Sequence, residues 1–256
     1  MDTKQTCYLF FDYDNTVRVN RTVSERTIAA MKQAQGKGHK LILCTGRARG
    51  SKIEDFEKIP WDAVINGGCD ITREGVCVEE KVVPENEIRA WVEFSMQNRL
   101  CFIYEGQKEI GRYEFHKHEK PYTEAEIKAA QNRIAEIAKS NPATKFSIMG
   151  TRFGELTFPD TRMNPLIHPT YLEVFGEGCD KGSAIKRFCE LFDAPLEQCA
   201  CFGDSVNDCP MFLVCPISIC MKGSAPELVK LATYEARTDE GVAEGLSWLF
   251  KEGETQ

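Results

Sequence analysis

The chain of 256 residues is acidic, with a formal net charge of -7 at pH 7 and a pI near 5.3. This charge balance argues against a general binder of nucleic acids or anionic membranes. No run of about 18 apolar residues is present, so no membrane span is expected, and the N-terminus shows no signal-peptide pattern. We therefore expect a cytoplasmic protein whose length allows one large domain or two smaller ones.

Twelve cysteines are present, and five of them fall within residues 199–220. Their spacings match none of the paired Cys-x-x-Cys patterns that hold zinc. Others lie in apolar stretches, where a free cysteine behaves as a small buried hydrophobe. We expect unpaired thiols in a reducing compartment rather than a structural metal.

The first part of the chain alternates between strands and helices. Apolar runs predict three strands, at residues 7–11, 41–44 and 63–65. Helical spacing predicts two helices, at residues 25–35 and 52–58. This alternation is typical of a parallel sheet with right-handed crossovers, and a hairpin is expected to follow at residues 71–78.

The pattern changes after about residue 83. Two helices are expected in this region, at residues 84–98 and 124–139. Four strand-like pieces are expected around them, at residues 100–104, 112–115, 145–149 and 155–158. Paired strands separated by helices, without strict alternation, indicate an α+β insert of domain size.

Strict alternation returns in the last part of the chain. Strands are predicted at residues 171–175, 199–202 and 217–220, and helices at residues 183–192, 208–214, 225–231 and 241–250. We therefore predict an α/β protein whose Rossmann-like parallel-sheet core is split by an inserted α+β domain. The core is assigned to residues 1–82 and 171–256, and the insert to residues 83–170.

Two carboxylates, Asp12 and Asp14, stand where the first strand is predicted to end. In extended chain, residues i and i+2 project to the same side. Two like charges held this close require either protonation of one carboxylate or a cation between them. Open α/β sheets bind their ligands at this carboxyl edge of the strands. For Asp-x-Asp alone an ordinary polar turn is the simpler interpretation, so the other strand ends matter.

Polar residues also follow other predicted strands. Thr45 offers a hydroxyl and Gly46 a closely approachable backbone amide, and both suit a phosphate oxygen. Lys181 stands at the start of a predicted helix, where it joins the positive end of the helix in attracting an anion. Arg47 and Asn66 lie on loops at the same predicted edge and are candidates for substrate contact. Alone, each of these residues fits a common turn or a solvated side chain equally well.

The richest loop is Gly-Asp-Ser-Val-Asn-Asp, which begins at Gly203 and ends at Asp208. It places the carboxylates of Asp204 and Asp208 and the amide of Asn207 at the start of a predicted helix. Oxygen ligands of this kind suit Mg²⁺, which is held by a few carboxylates together with substrate phosphate and water. A helix-capping turn would explain one aspartate but not the whole cluster.

These segments follow the order of the four motifs of the haloacid-dehalogenase-like superfamily, which the chain resembles over essentially its whole length. The insert resembles the larger α/β cap of the Cof-type sugar-phosphatase branch. The matching segments are Asp12-Tyr13-Asp14-Asn15-Thr16, Thr45-Gly46-Arg47, Lys181-Gly182 and Gly203-Asp204-Ser205-Val206-Asn207-Asp208. The chain departs from the pattern at Asn15, where the family usually has glycine. Asparagine is among the residues best able to adopt a positive φ, so we expect the turn to persist.

The resemblance implies a phosphatase mechanism. Asp12 would attack phosphorus and form an aspartyl phosphate. Asp14 would protonate the leaving alcohol and then deprotonate the attacking water. Thr45 and Lys181 would balance the charge of the phosphoryl oxygens, and Asn207 would orient the phosphate or the lysine.

The resemblance also implies a magnesium site. Its ligands would be the Asp12 carboxylate, the Asp14 backbone carbonyl and Asp204, with Asp208 close by, directly or through water. The metal would keep the nucleophile ionised.

Small phosphomonoesters, above all phosphorylated sugars, are the substrates that the resemblance implies. Phosphorylated vitamins such as pyridoxal phosphate or flavin mononucleotide are rival substrates, and a phosphohexomutase-type phosphotransferase would share the same intermediate. A non-catalytic sensor or scaffold would be expected to lack one of the motif residues. Arg112, Tyr113, His116 and His118 of the insert fit substrate contact less well than a solvated surface. The sequence gives no oligomeric state.

Overall fold

The structure, a computed structural model, describes residues 1–252. In chain order the strands are β1 (Tyr8–Phe11), β2 (Lys40–Thr45), β3 (Ala63–Asn66), β4 (Asp70–Arg73), β5 (Val76–Glu79), β6 (Cys101–Gly106), β7 (Ile110–Glu114), β8 (Ala143–Met149), β9 (Asn164–Ile167), β10 (Tyr171–Phe175), β11 (Cys199–Gly203), β12 (Ile217–Cys220) and β13 (Tyr234–Glu235). The helices are α1 (Glu25–Gly36), α2 (Glu85–Gln97), α3 (Glu124–Ser140), α4 (Lys181–Phe192), α5 (Cys209–Val214), α6 (Pro226–Val229) and α7 (Gly241–Glu252). None of these helices has both the length and the apolar character that a membrane span needs.

The described residues fall into two compact units. The first unit consists of Met1–Gly46, Ile53–Glu79 and the chain from Asp180 onward, and the second of Arg47–Lys52 and Glu80–Cys179. The sequence assigns residues 47–52, 80–82 and 171–179 to the core, and the structure corrects this assignment, because all of them belong to the second unit. Strand β10 pairs antiparallel with β8 and β9 in the second unit, because the apolar pattern of a strand does not specify which strands it pairs with.

The first unit is built on an eight-stranded sheet with the order β13-β12-β11-β1-β2-β3-β4-β5. Every pair from β13 to β3 is parallel, and the hairpin of β4 and β5 adds two antiparallel strands at one edge. This arrangement confirms the predicted Rossmann-like α/β core with a parallel sheet.

Strand β1 lies at the centre of this sheet and is buried on both faces. Leu9 and Phe11 pack into the cluster that contains residues of α1 and α7, whereas Phe10 packs on the other side with residues of α4 and α5. Successive side chains of a strand point to opposite faces. A strand between two helical layers therefore needs an uninterrupted apolar run, as the sequence of β1 shows.

The second unit contains a five-stranded antiparallel sheet with the order β7-β6-β8-β10-β9. Helices α2 and α3 share one apolar cluster with alternate residues of the central strands, among them Phe102, Phe146 and Leu172. The intervening positions carry charged residues, including Glu105, Lys145 and Glu173. The sheet therefore has one apolar face packed on helices and one charged face.

Two local predictions were wrong, and the strands β9 and β13 were missed. The helix expected at residues 52–58 is only a 3₁₀ turn, Phe56–Lys58, preceded by Asp55 at φ 61°, a left-handed conformation that interrupts a helix. Residues 155–158 form no strand. Strand β9 was not predicted, because it contains Pro165, which a strand tolerates at the edge of a sheet, where β9 lies.

All twelve cysteines are free, and most of them are buried. The thiols of Cys189 and Cys199 contact each other between α4 and β11, with their Sγ atoms 3.6 Å apart. These side chains fill the apolar interior, as small hydrophobic residues do.

Candidate active site

The polar residues predicted at strand ends lie at the carboxyl edge of the parallel strands. The backbone N–H of Asp12 donates to Phe202 O at 2.9 Å, which extends the pairing of β1 with β11 by one residue. Thr45 ends β2 and is the register partner of Asn66, which ends β3. Both side chains are buried. The sheet therefore brings these loops to one edge, where open α/β sheets hold their ligands.

Lys181 links two of the predicted loops through its ammonium group. Its Nζ lies 2.5 Å from Asp12 Oδ1 and 2.5 Å from Asp208 Oδ1, and the lysine is only 3% exposed. It is the first residue of α4, whose start is capped by Asp180 and Ser183. A buried ammonium is retained only where carboxylates compensate it.

Two glycines allow the close approach that this arrangement needs. A Cβ on Gly182 would lie 2.4 Å from Pro210 O, so glycine lets the start of α4 reach the chain that follows Asp208. A Cβ on Gly203 would lie 2.6 Å from the Cγ atom of Asp208. The glycines beside Lys181 and Asp204 thus serve packing around the charged residues rather than turn formation.

Three carboxylates gather at this edge. Carboxylate oxygens of Asp12, Asp204 and Asp208 all lie within 4.8 Å of one another. Asp12 and Asp208 are buried, and Asp204 is partly buried. Three acidic groups face one lysine, so the cluster carries an excess of negative charge that a divalent cation with oxygen ligands would fit.

The electrostatics of the cluster reflect this excess. Burial raises the pKa of Asp12 to about 8, against the attraction of Lys181 and with the help of Asp208 and Asp204. Burial, followed by the charge of Asp208, raises the pKa of Asp204 to about 6. Burial also disfavours the ammonium of Lys181, but Asp12 and Asp208 outweigh it and hold the pKa of the lysine above its usual value. The lysine therefore stays charged, and the carboxylates gain from any further cation.

Asp208 uses both of its carboxylate oxygens for positioning. Oδ1 contacts Lys181, and Oδ2 accepts from the backbone N–H groups of Asp204 at 2.9 Å and Ser205 at 3.0 Å. Asn207, expected to orient the phosphate or Lys181, accepts instead from Ser205 Oγ through its Oδ1 at 2.6 Å. Asp208 thus contacts Lys181, whereas the side chain of Asn207 contacts Ser205. The role of Asn207 in phosphate binding stays a prediction.

Asp14 differs from Asp12 in its surroundings. Its side chain is 46% exposed and lies 3.7 Å from the guanidinium of Arg18. Its carboxylate is not part of the three-membered acidic group, while the predicted metal ligand is its backbone carbonyl. Asn15 adopts φ 61°, which confirms that asparagine takes the left-handed conformation expected of glycine there.

Thr16 makes a contact that the sequence did not single out. Its Oγ1 lies 3.4 Å from Asp204 Oδ1, and the side chain of Asn15 also favours the ionised form of Asp204. The first and last loops are therefore connected by polar groups as well as by Lys181. The position of Thr16 two residues after Asp14, in the same motif segment, was the available signal.

Two predicted site residues are neighbours in the chain but belong to different units. Gly46 ends a segment of the first unit, and Arg47 begins a segment of the second. The guanidinium of Arg47 donates to the backbone oxygen of Lys52 at 2.6 Å. Substrate contact by Gly46 and Arg47 stays a prediction.

The sequence pattern of the haloacid dehalogenase-like hydrolase family matches residues 9–246. Two full-length relatives share low identity with the chain. A protein of Streptococcus pyogenes serotype M6 is 23% identical over 264 residues, which cover 93% of this chain and 97% of the relative. Phosphatase YwpJ of Bacillus subtilis is 23% identical over 279 residues, which cover 93% and 98%.

Solved structures share the fold over almost the whole chain. BT1666 of Bacteroides thetaiotaomicron, described as a phosphatase of the haloalkanoate superfamily, has a TM-score of 0.79 at 19% identity and covers 96% of this chain and 95% of its own. BT4131, described as a subclass IIB sugar phosphatase, has a TM-score of 0.77 at 20% identity, with coverage of 96% and 99%. With the family pattern, the chain belongs to the haloacid dehalogenase-like hydrolases and is an enzyme of their phosphatase class.

Proposed function

We propose that this enzyme is a Mg²⁺-dependent phosphatase that hydrolyses small phosphomonoesters, with phosphorylated sugars as the favoured class, through an aspartyl phosphate on Asp12. The observation that carries the proposal is the buried contact of Lys181 with Asp12 and Asp208, beside Asp204, at the ends of the parallel strands. Phosphoryl transfer depends mostly on positioning and on compensation of charge. This cluster provides a fixed carboxylate and a fixed cation in one place.

Asp12 is the nucleophile in this proposal. Lys181 holds one carboxylate oxygen of Asp12, which fixes the orientation of the group. The other oxygen attacks phosphorus, the bond from phosphorus to the ester oxygen breaks, and its electron pair stays on the leaving oxygen. The same ammonium lies where charge on the phosphoryl oxygens has to be balanced.

Asp14 is the proton carrier. Its partly exposed carboxyl exchanges protons with solvent more readily than the buried Asp12 does. In the first step it gives a proton to the leaving alkoxide. In the second step its carboxylate takes a proton from the water that attacks phosphorus, and cleavage of the acyl phosphate returns Asp12 as a carboxylate and releases inorganic phosphate.

The residues present fit a magnesium ion. The Asp12 and Asp204 carboxylates and the Asp14 backbone carbonyl would hold it, while Asp208 orients Lys181 and the backbone of the last loop. When bound, Mg²⁺ would offset the excess negative charge and thereby favour the ionised form of Asp12.

The substrate class rests on similarity in fold. The neighbour BT4131 is described as a sugar phosphatase, and the present chain covers 99% of it at 20% identity. We therefore favour sugar phosphates over phosphorylated vitamins. Thr45 and Asn66, buried at adjacent strand ends, would contact the phosphate together with Lys181.

A phosphate-release screen tests the proposal. Purified enzyme is incubated with a panel of sugar phosphates, pyridoxal phosphate and flavin mononucleotide, with Mg²⁺ or with a chelator. We expect release from sugar phosphates that the chelator abolishes and added Mg²⁺ restores. Preferred release from the vitamins would change the substrate class. Formation of isomeric sugar phosphates without release would indicate a phosphotransferase instead, and activity that survives chelation would contradict the metal assignment.

A further inference from the structure

The first turn of helix α2 contains a buried glutamate, Glu87, that lacks its usual backbone hydrogen-bond donor. Its N-cap is Pro84, and no side chain caps its first turn. Glu87 occupies the third helical position, where a glutamate normally accepts from the backbone N–H of the N-cap residue. Proline has no N–H. The carboxylate of Glu87 is therefore deprived of this hydrogen bond by the residue that precedes the helix.

Helix α3 of the same unit shows the complete arrangement. The Thr123 backbone N–H donates to Glu126 Oε2 at 2.8 Å, and the Glu126 backbone N–H donates to Thr123 Oγ1 at 3.3 Å. Both residues are exposed. The buried glutamate thus has the poorer set of partners, although burial makes a carboxylate more dependent on them.

Glu87 is only 6% exposed. Its Oε2 atom is buried and has no hydrogen-bond partner among residues 1–252. Within the described part of the chain, its Oε1 atom accepts only from Asn86 Nδ2 at 3.4 Å and from the Arg162 backbone N–H at 3.5 Å, both beyond the usual range for such bonds. A buried carboxylate in this state costs free energy unless a further donor is supplied.

A cavity of about 280 Å³ adjoins this carboxylate. The residues that line it all belong to the second unit: Pro84, Asn86, Glu87, Arg162, Met163 and Glu177. Its size is close to the lower end for small-molecule sites. Two carboxylates and one guanidinium face it, and that guanidinium is 3.6 Å from Glu177. The lining therefore has an excess of negative charge beside two apolar side chains.

We propose that this cavity binds a small primary alkylammonium ion. Its ammonium group donates to the Glu87 carboxylate, and its alkyl chain lies against Pro84 and Met163. An ammonium supplies three donors and the charge that the lining lacks. A hard divalent cation would need more oxygen ligands, and the three-carboxylate group found in residues 1–252 lies elsewhere, at Asp12. An anion would meet two carboxylates.

Methionine methyl NMR of the full chain tests the proposal with n-propylammonium chloride. The chain has seven methionines, and Met163 lines the cavity; its signal is assigned with Met163→Leu. We expect a saturable shift of the Met163 methyl resonance, with a Kd on the order of 1 mM for so small a ligand. Equal concentrations of 1-propanol, sodium propionate and potassium chloride should leave it in place.

Matched substitutions in one helical turn locate the site. Glu87→Gln keeps the shape of the side chain but removes its charge, and we expect about tenfold weaker binding or more. Glu85→Gln, an exposed change in the same turn that does not line the cavity, should leave the Kd unchanged. An unshifted Met163 signal, a Kd unaffected by Glu87→Gln, or an equal response to 1-propanol or potassium chloride would overturn the proposal.

Discussion

Each unit of the protein buries a lysine between two carboxylates, but the two clusters differ in their charge. In the first unit Lys181 bridges Asp12 and Asp208. In the second, Lys145 Nζ lies 2.5 Å from Glu173 Oε1 and 3.6 Å from Glu105 Oε1. All of these side chains are buried.

In the second cluster the glutamate carboxylates have further neutral or basic partners. His168 Nε2 lies 3.0 Å from Glu173 Oε2, and Ser147 donates to Glu105. Burial would raise the pKa of Glu173, but Lys145 and His168 outweigh it and lower the pKa to about 2. In the first unit a third carboxylate, Asp204, is added, and the pKa of Asp12 shifts upward to about 8.

The opposite pKa shifts of Asp12 and Glu173 distinguish the proposed catalytic cluster from the structural one. Both clusters contain a buried lysine between two carboxylates, so this arrangement alone does not indicate a catalytic site. The first cluster has uncompensated negative charge at the open ends of strands, whereas the residues of the second lie within the paired strands β6, β8 and β10. Excess charge at a strand edge is what a cation or a phosphoryl group can complement.

Removal of the proposed nucleophile should have the largest effect. We expect Asp12→Asn to lower turnover on the order of a thousandfold or more, because the amide cannot form the acyl phosphate. The melting temperature should not fall, because burial disfavours the charged form of the Asp12 carboxylate and the neutral amide avoids this cost. Phosphate-release assays and thermal unfolding measure the two outcomes. Turnover near that of the unsubstituted enzyme would refute the role of Asp12.

Removal of the lysine in the second cluster should chiefly affect stability. We expect Lys145→Ala to lower the free energy of unfolding by about 3–5 kcal/mol, because Glu105 and Glu173 are left buried without their cation. Urea unfolding measures the change. The exposed Lys139→Ala, which breaks a surface pair with Glu136, should alter stability by less than about 1 kcal/mol. Similar losses of unfolding free energy in both variants would show that Lys145 does not compensate the buried charges of Glu105 and Glu173.

Removal of the lysine in the first cluster should chiefly affect catalysis. We expect Lys181→Ala to lower kcat about 10²–10³-fold, as loss of a group that stabilises developing charge does. Without metal the variant should also lose stability, as Lys145→Ala does, because Asp12 and Asp208 are left buried without their cation. Mg²⁺ should recover part of this loss, because a divalent cation compensates the same carboxylates. Steady-state kinetics and circular dichroism distinguish this result from general unfolding. A variant with full kcat would exclude the lysine from the reaction.

The smallest effect is expected from a methyl group at the start of α4. Gly182→Ala would place a Cβ 2.4 Å from Pro210 O, and overpacking of this kind typically costs about 1–3 kcal/mol. We also expect lower kcat, because Lys181 is displaced with the helix. Gly36→Ala is the matched control, since a Cβ there meets no atom within 4 Å. Equal behaviour of the two variants would contradict the packing role of Gly182.

The strand ends were predictable because the same physical rule governs both the fold and the site. A strand buried between two helical layers has to be apolar throughout, so the first polar residues after it mark the sheet edge. Asp12, Thr45 and Asp204 were identified in this way. Their convergence follows from parallel pairing of β1 with β2 and β11.

Features that depend on pairing or on the loss of a partner were not predictable. The sequence of β10 is compatible with either sheet, so its antiparallel partners were missed. The contact of Asp208 with Lys181 requires the approach that Gly182 and Gly203 permit, which no periodicity reports. The missing hydrogen bond of Glu87 follows from Pro84 only once the helix is known to begin there.

The central position of β1 has a consequence for synthesis of the protein. Strand β1 is synthesised well before β11, although β11 is one of its two neighbouring strands. A nascent chain that stops before Cys199 would present one side of β1 unpaired, together with its apolar residues. We therefore expect the cluster around Asp12 to assemble only after β11 has been synthesised.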